Sequence, residues 1–325
     1  MAARLKFAHL TDIHLPIPGR PAPHDLMNKR VLGYLSWTRK RRHWHKMEVS
    51  DALVADMRRQ GCDAAFLTGD VVNIALKAEF DAARSWLDRS FAGLPLVLSP
   101  GNHDAYVRTP WESSLGTFGK YMIGSRADDP AMRAPKGPDD FPFSVDFGPV
   151  RVTVANSSPP TAPALATGAL GRAQIERIGR ELSRAGREDR FRILLVHHPI
   201  VEGIVSRRKA LTDRAALAEA IAGAGVDLVL HGHAHVPHFE EIATPGGPAP
   251  VIGGGSLSHP RGGGDKTPGR YNLFTLERSG RDWRLSLDVR QFDPATSGVV
   301  SVDARFYDRK TSAAAPALNS AMSPT

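Results

Sequence analysis

The chain has 325 residues, 42% hydrophobic and 23% charged, with a formal charge of +8 and one cysteine. That is enough for one large domain or two small ones and is ordinary for a globular protein. No apolar run approaches the ~18–20 residues of a membrane helix, and a lone Cys62 excludes an internal disulfide and suits a reducing compartment.

The N-terminus, MAARLKFAHLTD, enters a strand-like run at once. It shows no apolar h-region or small-residue cleavage site, so no signal peptide is read and the expected location is the cytoplasm. The first predicted strand, 5–10, leads into Asp12 and His14. Residues 16–47 follow, rich in Pro, aromatics and bases, and are read as a cap insertion. A helix is predicted over 48–60, then a strand over 63–68 that delivers Gly69 and Asp70. Strand 94–99 delivers Gly101, Asn102, His103 and Asp104. Segment 107–149 reads as a loop-rich insertion.

Strand 150–155 ends in Asn156-Ser157-Ser158. A helix over 173–185 precedes strand 191–196, which ends in His197-His198-Pro199. A helix over 213–225 precedes strand 226–231, which opens into Gly232-His233-Ala234-His235. Residues 271–292 read as an antiparallel hairpin with a Ser-Gly turn. The tail 311–325 is low in complexity and is expected to be disordered. Strands alternating with helices predict an α/β layered core in one domain, 1–310.

Five of these six strands end in Asp, Asn or His. Ligands of open α/β folds bind beyond the carboxyl ends of strands, so these residues are expected on one rim. Carboxylate, imidazole and amide donors without a thiolate suit divalent Mn, Fe, Zn or Mg. Seven such donors exceed one ion and suit two ions sharing a carboxylate, an arrangement used in phosphoryl chemistry. Asp70, alone after its strand, is the natural bridge.

Asp12-x-His14, Gly69-Asp70, Gly101-Asn102-His103-Asp104, His197 and Gly232-His233-x-His235, in this order over residues 5–235, resemble the calcineurin-like metallophosphoesterase superfamily. The resemblance implies a four-layer α/β/β/α sandwich. It implies one metal on Asp12, His14 and His235, a second on Asn102, His197 and His233, and Asp70 bridging them. It also implies a hydroxide between the metals as nucleophile. His103 would contact the phosphoryl oxygen or protonate the leaving alkoxide, and Asp104 would orient its imidazole. Of the adjacent pair His197 is taken as the ligand, and His198 as a residue supporting the ligands from behind or lining the pocket. His9, inside the first strand, is read as a buried, hydrogen-bonded histidine. His24, His43, His45, His238 and His259 are read as surface or loop residues, with His259 in a loop that could border the pocket.

Two readings of residues 28–46 stay open. One is a solvated basic helix anchored on the core. The other is an amphipathic element touching acidic lipid or a lipid-linked substrate, peripheral to the inner membrane face. Nucleic-acid contact is the weakest option. Within the superfamily the motifs look most like bacterial class III cyclic-nucleotide phosphodiesterases and their relatives, implying a phosphodiesterase on a nucleotide-type substrate. The alternatives are a hydrolase of a lipid-linked pyrophosphate of the UDP-diacylglucosamine type, and a non-catalytic scaffold, which the intact ligand set disfavours.

Overall fold

A computed structural model describes residues 4–262, 266–280 and 282–309. The tail 311–325, with the disorder expected of it, lies outside the described residues. The strands are β1 Arg4–Leu10, β2 Ala64–Leu67, β3 Leu96–Leu98, β4 Gly124–Arg126, β5 Asp129–Arg133, β6 Phe143–Phe147 and β7 Val150–Val154. They continue with β8 Phe191–Leu195, β9 Leu228–His231, β10 His238–Ile242, β11 Ala249–Gly253, β12 Arg270–Ser279, β13 Asp282–Asp293 and β14 Gly298–Arg309. The helices are α1 Arg30–Ser36, α2 Arg42–Trp44, α3 Met47–Arg59, α4 Lys77–Ser90, α5 Arg172–Arg187 and α6 Arg214–Ala224.

Two sheets result. One runs β14-β13-β12-β1-β2-β3 and the other β10-β11-β9-β8-β7-β6-β4-β5. Their inner faces meet through aromatic rings: Phe7 and Phe66 of the first sheet lie 4.8 Å apart, and Phe66 lies 5.6 Å from Phe147 of the second. Strand periodicity explains the layering. In β8, Ile193 and Leu195 join this central core, while Leu194 points the other way, into a second core beneath α5 and α6. Helix α5 buries Ile175, Ile178, Leu182 and Ala185, spaced three and four apart on one face. Each of those larger side chains contributes about 1.5–3 kcal/mol on full burial.

On the opposite side α3 is tied to the first sheet through Asp56. Its carboxylate accepts the Tyr271 hydroxyl at 2.7 Å and a forked pair of bonds from Arg290 at 3.1 Å each. The order helix, sheet, sheet, helix is therefore the expected four-layer sandwich.

Three elements differ from the sequence reading. Helix α4 is absent from that reading because its apolar residues are sparse in a charged segment. It forms around buried Phe80, Ala83 and Leu87, and its Glu79 accepts the amides of Asn73, Ile74 and Leu76. The predicted C-terminal hairpin gains a third strand, β14, whose mixed polar pattern hides it because most of it is exposed. Segment 107–149 contributes β4, β5 and β6 to the second sheet rather than being loop throughout.

His9 is buried as expected. Its Nε2 meets Thr68 Oγ1 at 2.9 Å and its Nδ1 meets the Asn272 amide at 3.3 Å. Burial, with His231 nearby, pushes its pKa down from 6.5 to about 3. The unfolded chain therefore takes up a proton at this site below pH 6.5 that the folded chain refuses until about pH 3. Stability is full above pH 6.5 and falls as pH drops through that window. Replacing His9 by Gln is expected to flatten the slope of unfolding free energy between pH 6 and 4 by about 1.4 kcal/mol per pH unit. Denaturant midpoints across pH check it, and parallel slopes for both proteins would refute it.

Candidate metal centre

The carboxyl ends of β1, β2 and β3 meet those of β8 and β9 at one rim. Backbone bonds lock the loops together. The Asp12 and His14 amides donate to the carbonyls of Gly69 and Asp70 at 3.0 Å each, and the Gly232 amide donates to His197 O at 3.0 Å. His197 Nδ1 crosses between the sheets to Thr68 O at 2.6 Å. The approach is close enough to require glycine. A Cβ at Gly232 would fall 2.7 Å from Asp12 Oδ2, and one at Gly101 would fall 2.2 Å from the Asp70 amide.

Nine described non-glycine residues have positive φ, and five of them are Asp12, His14, Asp70, His233 and His235. Such conformations cost of order 1–3 kcal/mol each and persist where the surroundings enforce them, typically at functional sites. Here they turn each side chain sharply off its strand end into a common space.

Two clusters share Asp70. In the first, His235 Nε2 lies 3.1 Å from Asp12 Oδ1, and His14 Nε2 lies 3.8 Å from Asp12 Oδ1 and 3.7 Å from Asp70 Oδ2. In the second, His197 Nε2 lies 3.4 Å from Asp70 Oδ2 and 3.1 Å from Asn102 Oδ1. His233 completes that group.

Orientation is set from behind. His14 Nδ1 faces Val72 O at 3.3 Å, His197 Nδ1 faces Thr68 O, and His233 Nε2 faces Lys209 O at 3.0 Å. Each ring therefore holds one nitrogen against a carbonyl and turns its other nitrogen into the site. Metal-binding imidazoles are held this way.

The buried carboxylates test whether ions fit. Asp12 Oδ2 accepts the Thr11 hydroxyl and the His233 amide, and Asp70 Oδ1 accepts the His103 amide at 2.7 Å. Asp12 Oδ1 and Asp70 Oδ2 are buried with no hydrogen-bond donor. Two buried anionic oxygens without a donor, facing imidazole nitrogens, suit cations. Burial opposes charge on His197, yet the neighbouring Asp70 carboxylate raises its pKa to about 9, so the space itself attracts positive charge.

His103 lies at the edge of the first cluster, its ring 4.8 Å from that of His14. Its Nδ1 donates to Asn73 O at 2.6 Å, leaving Nε2 for a substrate. Asp104 does not orient this ring, contrary to the sequence expectation. Its two oxygens accept the amides of Asp70, Val71, Val72 and Gly101 at 2.9–3.1 Å. It shapes the loop that carries Asp70, because a buried carboxylate takes the densest set of donors within reach.

His198 is also behind the site. Its Nδ1 meets Ser157 Oγ at 2.8 Å and its Nε2 faces Ala166 O at 3.3 Å. That places Ser157, after the one strand that broke the motif pattern, in support of the His197 segment.

Two further corrections concern histidines read as surface or loop residues. His45 and His259 are buried, at 3% and 2% exposure. Their rings lie 5.1 Å apart, and those of His45 and His14 lie 4.5 Å apart. Neither sits in a recognisable motif, so only their proximity reveals them. The cap also delivers Arg41, whose guanidinium approaches His103 Nδ1 at 3.1 Å and bonds Gly33 O at 3.0 Å. Beside the centre a cavity of about 860 Å³ is lined by Trp44, Val205, Lys209, Arg261 and Lys266.

The fold and this paired cluster are those of a dimetal phosphoesterase. The family model described as calcineurin-like phosphoesterase matches residues 5–237, and the chain belongs to that family. The family uses two divalent ions, which the clusters above suit. A search of curated proteins returned no match.

Among solved structures the chain resembles a dimetal phosphatase from Danio rerio at 13% identity and TM-score 0.57, with 92% of this chain and 98% of that one covered. It also resembles the purple acid phosphatase PPD1 of yellow lupin at 14% identity and TM-score 0.57, covering 94% of this chain and 54% of that one. The NAD nucleotidase of Haemophilus influenzae aligns at 11% identity and TM-score 0.50, covering 93% and 54%. This chain thus spans about half the length of the latter two. At such identities the likeness concerns the fold.

Proposed function

We propose that this phosphoesterase hydrolyses phosphodiester bonds, with a nucleotide-type substrate, using Asp12, His14 and His235 for one ion, Asn102, His197 and His233 for the other, and Asp70 for both. The observation that carries it is the pair of orphaned oxygens on Asp12 and Asp70, each facing imidazoles held by backbone carbonyls. When bound, the two ions polarise the phosphoryl group and lower the pKa of water.

The chain's own residues do the rest. The carboxylates of Asp12 and Asp70 would fix the position of the cations. His103, held at Nδ1 by Asn73, presents Nε2 to the departing alkoxide and gives it a proton as the imidazolium, the form in which both ring nitrogens are protonated. An alkyl alkoxide is a poor leaving group, so an acid at this place has a purpose. The cationic cavity beside the centre, with Trp44 in its wall, suits the rest of a nucleotide.

One observation favours a second reading, a lipid-linked pyrophosphate hydrolysed at a membrane surface. Met27, Val31, Leu32, Leu35 and Trp44 of the cap are exposed, Met27 at 84%, beside exposed Arg39, Lys40 and Arg42. Residues 26–47 contain no acidic side chain. Trp37 anchors the element, so the exposed apolar face is not its core contact. No helix among the described residues is long and apolar enough to cross a membrane.

The test compares manganese-loaded protein on 3′,5′-cyclic AMP and on UDP-diacylglucosamine in anionic vesicles. Faster turnover of the cyclic nucleotide supports the first reading. Faster turnover of the lipid replaces it with the second. Hydrolysis of simple phosphomonoesters alone refutes both.

A further inference from the structure

We propose that His45, carried by the cap, is an additional ligand of the ion held by Asp12, His14 and His235. The inference rests on the dinuclear reading above. It would make the cap part of the metal centre rather than a lid over it.

The geometry has two parts. First, a nitrogen of His45 lies within 4.8 Å of a nitrogen of His14 and of one of His235, so the three imidazoles can converge on one ion. Second, its Nδ1 meets Ser258 Oγ at 2.7 Å. Ser258 Oγ lies 3.3 Å from Ser256 Oγ, which donates to the carbonyl of Asp12 at 2.7 Å. One nitrogen of His45 is thus fixed by a hydroxyl chain that ends on the Asp12 carbonyl, which leaves Nε2 as the nitrogen available to an ion. This is how His14 and His197 are held, with hydroxyls in place of carbonyls.

The position is built in. The Lys46 amide donates to Ser258 O at 2.8 Å, clamping the end of α2 to the loop after β11. A surface histidine would need no such clamp. A third imidazole beside His14 and His235 suits a borderline ion such as Mn, Fe or Zn over Mg, which prefers oxygen.

A consequence follows from linkage. An ion bound through His45 stabilises the docked cap, and displacing the cap weakens the ion by the same factor.

The experiment measures metal binding rather than turnover. Metal-stripped protein is titrated with Mn²⁺ by calorimetry and with Co²⁺ by visible absorption, for wild type, His45→Ala, His45→Gly and the exposed control His24→Ala. Far-ultraviolet circular dichroism confirms that the stripped variants are folded. Wild type and His24→Ala are expected to bind two ions alike. His45→Ala is expected to bind one ion normally and the other at least about tenfold more weakly, with a changed Co²⁺ band. Added imidazole should restore both in His45→Gly, which a merely structural role would not permit. Two wild-type affinities and an unchanged Co²⁺ spectrum in His45→Ala would overturn the inference alone. Failure of wild type to bind two ions would overturn it together with the dinuclear reading.

Discussion

Replacing Asp70 by Ala is expected to remove both ions and essentially all phosphoesterase activity. Its Oδ2 lies 3.7 Å from His14 Nε2 and 3.4 Å from His197 Nε2, so it belongs to both clusters at once. No other carboxylate among the described residues joins both metal-binding groups. The loss in rate should exceed the roughly 10²–10³-fold of deleting a single stabilising donor. Asp70→Asn separates charge from shape. It can still accept the His103 amide, which now bonds Oδ1, yet it lacks the anion, so it should also fail to hold two ions. Calorimetric titration with Mn²⁺ alongside initial rates checks both variants. Two bound ions and near-wild-type turnover in Asp70→Ala would end the shared-carboxylate account.

His103→Ala should behave differently. The ring is no part of either metal-binding group, so two ions should bind with wild-type affinity. Loss of the acid should lower turnover about 10²–10⁴-fold. The loss should be greatest for alkyl diesters, whose alkoxides need a proton, and smallest for nitrophenyl diesters, whose leaving groups do not. An equal loss across leaving groups would assign His103 to phosphoryl binding instead of proton transfer. Arg41, 3.1 Å from the His103 ring, is a source of ambiguity, because its guanidinium could itself neutralise an oxygen. Measuring Arg41→Lys in parallel resolves this: a loss independent of leaving group belongs to the guanidinium.

The two experiments also separate what was legible from what was not. Asp12, His14, Asp70, Asn102, His103, His197, His233 and His235 stand in short motifs after apolar runs. A strand end is marked locally by its composition, so their place on one rim could be read along the chain. The role expected for Asp104 could not. Next to His103 in sequence, it turns away to four backbone amides of two loops, an arrangement that exists only after β2 and β3 pair.

His45 and His259 show the same limit more sharply. Each lies in a segment rich in bases, glycine or aromatics, where local pattern signals exposure. They are 214 positions apart, yet their rings lie 5.1 Å from each other and beside His235. The exposed face of the cap is the converse case. Its apolar residues suggest anchoring on the core, but Trp37 with Ile17, Ile74 and Leu76 fills that role and leaves Val31, Leu32 and Leu35 outside.

By itself, then, the sequence determined the layered α/β architecture and the family chemistry, because strand periodicity and strand-end motifs are properties of a few consecutive residues. The tertiary structure alone decided which histidines surround the centre, which groups hold each ring in its tautomer, and which face of the cap meets solvent. Those depend on contacts between segments hundreds of residues apart, and on a contest for burial and hydrogen-bond donors that no local pattern records.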